Sequence, residues 1–154
     1  MMDTRISASV FDPPAELAVF SAGRRDMGAL VSFVGLCRDH HDGEPVSELF
    51  LDHYPGFTER VIAGIARDIA ARCHCPDLLV IHRVGTVLPG EAIVLVAALC
   101  EHRANAFDAV RLLMDYLKTD APLWKRQTGP GGVHWIEPRP EDLARRAQAE
   151  GMSV

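Results

Sequence analysis

The chain has 154 residues, 48% hydrophobic and 24% charged, which suits one soluble domain with a real core. Its formal net charge of -5 argues against a general nucleic-acid-binding surface but leaves room for a small cationic pocket. No apolar run reaches the roughly 18 residues of a membrane span, and no basic stretch followed by an apolar one opens the chain, so the expected location is the cytoplasm, with no membrane partner.

Residues 5–11 alternate at Ile6, Ala8 and Val10 and predict a strand. Pro13-Pro14 opens a short helix to about Ser21, because proline suits a first helical turn. Residues 29–36 form a short apolar run fit for a buried strand. Residues 37–45 are polar with a turn at Asp42-Gly43, and 46–54 alternate at Leu49 and Leu51. The pattern predicts that 29–36 and 46–54 pair as a hairpin with a long tip. Past the Pro55-Gly56 break, Val61, Ile62, Ile65, Ala66, Ile69 and Ala70 stripe a helix over 58–72. Thr58 is its expected N-cap, and Arg60, Arg67 and Arg72 its solvated face. Residues 77–84 read as a strand, Leu88-Pro89-Gly90 as a turn, and 92–100 as an almost wholly apolar strand buried on both faces. Ala106, Phe107, Val110, Leu113, Met114 and Leu117 stripe a second long helix over 103–118. Trp135 lies on a short strand, and 141–154 is a polar helix or tail after a single domain over 1–140. The mixture of strands, helices and a hairpin reads as α+β or mixed α/β.

Cations gather at the ends of these elements. Arg38 follows the strand 29–36, His82-Arg83 ends the strand 77–84, and Glu101-His102-Arg103 joins the most buried strand to the second long helix. The fourth group is Lys118-Thr119-Asp120-Ala121-Pro122-Leu123-Trp124-Lys125-Arg126-Gln127, a helix end followed by a Pro-Leu-Trp corner and more cations. A helix N-terminus offers unpaired N–H groups and partial positive charge, so His102 and Arg103 suit phosphate or carboxylate. Arg38 adds a planar bidentate fork to the same pocket. Lysines placed among cations lose proton affinity and can act as base or nucleophile. The plainer alternatives are that Lys118 complements a helix dipole, that Trp124 is a packing anchor, and that His82 is satisfied by backbone. Cys37, Cys73, Cys75 and Cys100 are expected as reduced thiols, and Cys73-His74-Cys75 is too tight for a zinc knuckle. His40-His41 reads as a solvated loop, so no metal site is expected.

In this order and spacing the motifs resemble the large, catalytic subunit of molybdopterin synthase. The resemblance runs from Ser32-Phe33-Val34-Gly35 and Arg38, through Asp52-His53-Tyr54-Pro55-Gly56 and Ile81-His82-Arg83-Val84-Gly85, to His102-Arg103 with Phe107. It ends at Asp115-Tyr116-Leu117-Lys118-Thr119 and Ala121-Pro122-Leu123-Trp124-Lys125-Arg126, and covers about residues 5–140. It implies an α/β hammerhead fold with a largely antiparallel sheet and two long helices. The implied activity installs two sulfurs on cyclic pyranopterin monophosphate as a dithiolene, drawing them from the C-terminal Gly-Gly thiocarboxylate of a small ubiquitin-like partner. The implied assembly is a central dimer with a small subunit at each end, and no cofactor is needed. Lys118 matches the family's catalytic lysine and Lys125 a second functional lysine. Arg38, His102 and Arg103 match substrate-binding positions. Arg126 and Gln127 are expected on one wall of the pocket, and Arg139 is expected to reach a site across the dimer.

Three positions depart from the family's commoner text: Leu36, Asp39 and Glu101, the last placed to pair with Arg103. Two other readings compete. One is a non-catalytic docking module for a ubiquitin-like tail. The other is a zinc protein built on Cys37, His40, His41 and the cluster at 73–75.

Overall fold

The computed structural model describes residues 1–151, and residues 152–154 of the expected C-terminal segment lie outside the described residues. Two four-stranded sheets carry the fold. The first has the order β1-β6-β8-β2, from β1 (Met2–Ser7), β6 (Asp77–Arg83), β8 (Ala92–Cys100) and β2 (Ala29–Leu36). The second has the order β10-β9-β5-β7, from β10 (Gly132–Ile136), β9 (Leu123–Gly129), β5 (Glu48–His53) and β7 (Gly85–Val87). Among the described residues only β1 and β6 pair in parallel, so the α+β, largely antiparallel expectation holds.

Strands β6 and β8 are the middle of the first sheet, and almost every residue in them is buried. A strand buried on both faces needs apolar side chains without alternation, which is how 92–100 reads. One face packs on the two long helices, α2 (Phe57–Arg72) and α3 (Arg103–Asp120), through Ile62, Ile69, Leu78, Val80, Val96, Leu112 and Leu113. The other packs under α1 (Pro13–Ser21), where Phe20 meets Leu79, Ile81, Leu95 and Leu99.

The structure corrects several local expectations. The first strand spans Met2–Ser7, not 5–11, because residues 2–7 pair one for one with Leu78–Arg83. Residues 29–36 and 46–54 do not pair as a hairpin. β2 pairs with β8, and β5 pairs with β7 and β9, so the two lie in different sheets. The polar loop between them closes on itself as β3 (His40–His41) against β4 (Glu44–Pro45), turning at Asp42-Gly43. The segment after the Pro-Leu corner, read as a turn, runs on as β9.

Thr58 does not cap α2. Gly56 occupies the N-cap at φ 84°, and its N–H donates to the Glu59 carboxylate. Thr58 is buried instead: its Oγ1 accepts from the Tyr54 N–H at 2.9 Å and donates to the Pro122 carbonyl at 3.0 Å. That hydroxyl ties the start of α2 to the turn between α3 and β9. Arg72 is likewise no simple solvated cation, since it donates to the Tyr116 hydroxyl and to the Ala149 carbonyl. Cys37 and Cys73 are free and buried, but Cys75 and Cys100 are joined as a disulfide. The Asp77↔Leu99 register carries Cys75 alongside Cys100, with Cα atoms 5.3 Å apart, well within disulfide reach. The expectation of four thiols rested on compartment alone and held no information about this register.

The polar C-terminal segment forms α4 (Pro140–Gly151), with proline first and Glu141 and Asp142 in its first turn. It is fastened to α3 by Arg146, which pairs with Asp120 at 2.9 Å and lies 3.8 Å over the Tyr116 ring.

Candidate functional site

The register of the first sheet fixes where the predicted cations can go. Ala29 pairs with Cys100 at one end of β2 and Leu36 with Ala92 at the other. Arg38 therefore follows one end, and His102 and Arg103 follow the opposite end. At about 3.4 Å per residue those ends are about 24 Å apart. Within one chain the expected pocket of Arg38 with His102 and Arg103 does not form. The sequence showed cations at strand ends but not which end of the sheet each end was.

Helix α3 starts at the His102 end and runs back over β8, so its last turn brings Lys118 toward the Arg38 end. Lys125 arrives there on β9, paired with Leu51 of β5. Leu51 and Cys37 share one small apolar cluster, which places Arg38 beside the same end. Lys118 Nζ lies 3.8 Å from Asp142 Oδ2 on α4. Burial lowers the proton affinity of Lys125, the Lys118 charge lowers it further, and Asp142 opposes both. The depression expected of a lysine among cations thus falls on Lys125.

Two further groups complete this end. Asp142 is buried; burial raises its carboxyl, but the Arg139 N–H, Arg145 and Lys118 outweigh that and hold it below the usual range. Its Oδ2 accepts from the Arg139 N–H at 3.1 Å and its Oδ1 from Arg145 at 2.7 Å. Sequence reasoning missed Asp142 because 141–154 read as a polar helix or tail outside the domain, with no sign of where it would dock. The Pro140-Glu141-Asp142 start of a helix was the signal available. His82 is the second group. It is buried, as the backbone-satisfied reading required, and its Nδ1–H donates to the Arg83 carbonyl at 2.8 Å. Burial pushes it down to about 4, with the Lys125 charge adding to the effect. The ring is neutral at physiological pH, and its other nitrogen is an acceptor.

Strand alternation separates Arg126 from its expected neighbour. Lys125 and Gln127 point to one face of the second sheet and Arg126 to the other. There the Arg126 guanidinium lies 4.9 Å over Phe50 and 5.7 Å over Trp135, its partners across the two strands. Arg126 and Gln127 are therefore not one wall. Gln127 is buried, and its Oε1 has no hydrogen-bond partner among the described residues. It lines a cleft of about 450 Å³ with Trp135, Ile136 and Arg139, whose guanidinium reaches Asp42 at 3.3 Å. Trp124 is an anchor, edge-on to Tyr54 at 4.9 Å.

The His102 end is built differently. His102 is the N-cap residue of α3 and makes no side-chain cap, and Arg103 opens the helix. Both are exposed, so the free N–H groups of the first turn, the His102 imidazole and the Arg103 guanidinium face outward. Glu101 lies 3.6 Å from His102, not against Arg103 as expected. Gly28 backs this corner: its N–H donates to the Cys100 carbonyl at 3.0 Å, and a Cβ there would strike the Glu101 carbonyl oxygen. The histidines of the polar loop pair with acids, His40 with Asp39 at 2.7 Å and His41 with Asp42 at 3.3 Å.

Fold and site together define a small α+β protein that holds two lysines, a buried acid and a neutral histidine at one end of its main sheet. Comparison with known proteins narrows that class. Residues 6–120 match the MoaE protein family. The molybdopterin synthase catalytic subunit of Ralstonia nicotianae is 45% identical over 142 residues, covering 92% of this chain and 81% of the relative. The molybdopterin biosynthesis MoaE protein from Burkholderia ambifaria superposes with a TM-score of 0.82 at 40% identity, covering 99% of this chain and 100% of that one. A complex of subunits 1 and 2 of molybdopterin-converting factor from Helicobacter pylori shares the fold alone, at 21% identity and a TM-score of 0.70 over 90% of each chain. The chain belongs to the MoaE family.

Proposed function

We propose that this chain is the catalytic subunit of a molybdopterin synthase, a cytoplasmic sulfurtransferase of molybdenum cofactor biosynthesis. Its substrate is cyclic pyranopterin monophosphate. The sulfur donor is the C-terminal Gly-Gly thiocarboxylate of a small ubiquitin-like subunit. The observation that carries this reading is the lysine pair of a MoaE-family chain: Lys118 lies close enough to depress the proton affinity of half-buried Lys125. A weakened proton is more readily given up, and a charged neighbour attracts an anion. The family resemblance gives Lys118 the chemistry, as general acid/base or as an amine beside the acyl carbon, and Lys125 the holding of substrate or intermediate; the weakened proton of Lys125 lets it share in proton transfer. Arg38 and Gln127 face the substrate from the same end.

The phosphate site is completed by a second copy of the chain. β2 is an edge strand of the first sheet, and it carries exposed Leu30, Phe33 and Leu36. Unpaired edge strands with apolar side chains are association surfaces. Two copies related by a two-fold axis, with β2 edges antiparallel, set the Ala29 end of one beside the Leu36 end of the other. His102 and Arg103 of the second copy then meet Arg38, Lys118 and Lys125 of the first.

Reconstitution with a thiocarboxylated small subunit and precursor tests this function. Lys118→Ala is expected to cut dithiolene formation by about 10²–10⁴-fold with an unchanged circular dichroism spectrum. Turnover near the wild-type rate would remove Lys118 from the chemistry.

A further inference from the structure

Arg83 is among the most buried charges of the protein, with 4% of its surface exposed. Its Nη2 donates to the Thr86 carbonyl at 2.7 Å, while Nε and Nη1 have no hydrogen-bond partner among the described residues. The nearest anion is Glu91, whose Oε1 lies 3.9 Å from Nη1. A buried guanidinium is costly unless it fixes something, and here it sits behind the turn over residues 88–91. The same Glu91 Oε1 accepts from the Leu88 N–H at 2.7 Å, and the Glu91 N–H donates to the Leu88 carbonyl at 3.0 Å. The turn in turn grips Cys37 from both sides. The Cys37 N–H donates to the Glu91 carbonyl at 2.9 Å, and the Gly90 N–H donates to the Cys37 carbonyl at 2.7 Å. Arg38 comes next, exposed, with a guanidinium that makes no hydrogen bond or ion pair among the described residues. Its backbone is what places it.

We propose that Arg83 and Glu91 form a clamp that positions Arg38 for the substrate anion, acting through the 88–91 turn and the two Cys37 hydrogen bonds. Neither residue touches substrate. Arg83 holds the Thr86 carbonyl and faces Glu91, Glu91 closes the turn, and the turn fixes the peptide units on either side of Cys37. The inference rests on the reading of Arg38 as a substrate-binding group.

The test combines amide hydrogen exchange with a double-mutant cycle in the reconstituted complex. In Glu91→Ala the Cys37 and Gly90 amides exchange faster. The KM for cyclic pyranopterin monophosphate rises about fivefold while kcat stays within about twofold, as expected for lost substrate positioning. In the Arg38→Ala background the same change adds nothing to KM, because coupled residues act as one unit. Glu91→Gln keeps an acceptor for the Leu88 N–H but drops the charge facing Arg83. It serves as a milder second variant, with a smaller KM rise in the same direction. Unchanged exchange, or a KM rise that persists undiminished without Arg38, overturns the clamp. A wild-type KM in Arg38→Ala alone is a separate failure: it removes the substrate role of Arg38 and the inference that depends on it.

Discussion

The two ends of the main sheet hold cations in opposite ways. At the Lys118 end the charges are backed within the chain: Asp142 faces Lys118, Lys125 is half-buried, and His82 is kept neutral beneath it. At the His102 end the His102 imidazole and the Arg103 guanidinium stand exposed on a helix start with no side-chain cap, with Glu101 3.6 Å from His102. An interlocked cluster has its geometry set before any ligand arrives, whereas an open cationic corner gains its geometry from what it meets. Because the two ends lie about 24 Å apart along β2, the proposed substrate anion would meet both only if they came from different copies.

The sharpest way to break this comparison is complementation. Lys118→Ala and Arg103→Ala are each expected to be inactive. When mixed and reassorted, half of the dimers carry one intact site of two, so about a quarter of wild-type dithiolene formation should return. No recovery would defeat the two-copy arrangement.

A smaller effect tests the buried end by pH. His82 titrates at about 4 in the folded chain, against 6.5 for a free imidazole. Between those values the unfolded chain takes up a proton that the folded one refuses, so the His82 contribution to stability falls as pH drops through 6.5 and is fully lost below 4. The loss amounts to about 3 kcal/mol, and it should flatten in His82→Phe when urea midpoints are compared across that range.

A still smaller change is expected where Asp142 of α4 faces Lys118. Asp142→Asn keeps the shape but removes the charge that Lys118 and Arg145 face, and it should cost about 1–2 kcal/mol in denaturant unfolding. The equivalent change at the open corner, Glu101→Gln, should cost close to nothing, since exposed pairs contribute little. Equal costs would erase the contrast between the two ends.

Much of the fold was legible in the chain. Helix α1 and strands β2 and β8 fall where Pro13-Pro14 and the two apolar runs place them, and α2 and α3 follow their stripes within a few residues. Short β7 and the run of β9 were not, because a three-residue strand has no period to read and the Pro-Leu-Trp corner masked what followed. The site was legible as residue types but not as an arrangement. Which cations share an end depends on strand register, and Asp142 depends on how α4 docks; neither leaves a local pattern. The separation of Arg126 from Gln127 did leave one, since neighbours on any strand face opposite ways.

The Cys75–Cys100 bond closes a covalent ring that contains β6, β7 and β8, the most buried part of the molecule. A molecule stretched by its two ends would therefore keep this ring off the line of force. With a separation of 25 residues, its contour would come out about 85 Å short of the full chain until a reductant opened the bond.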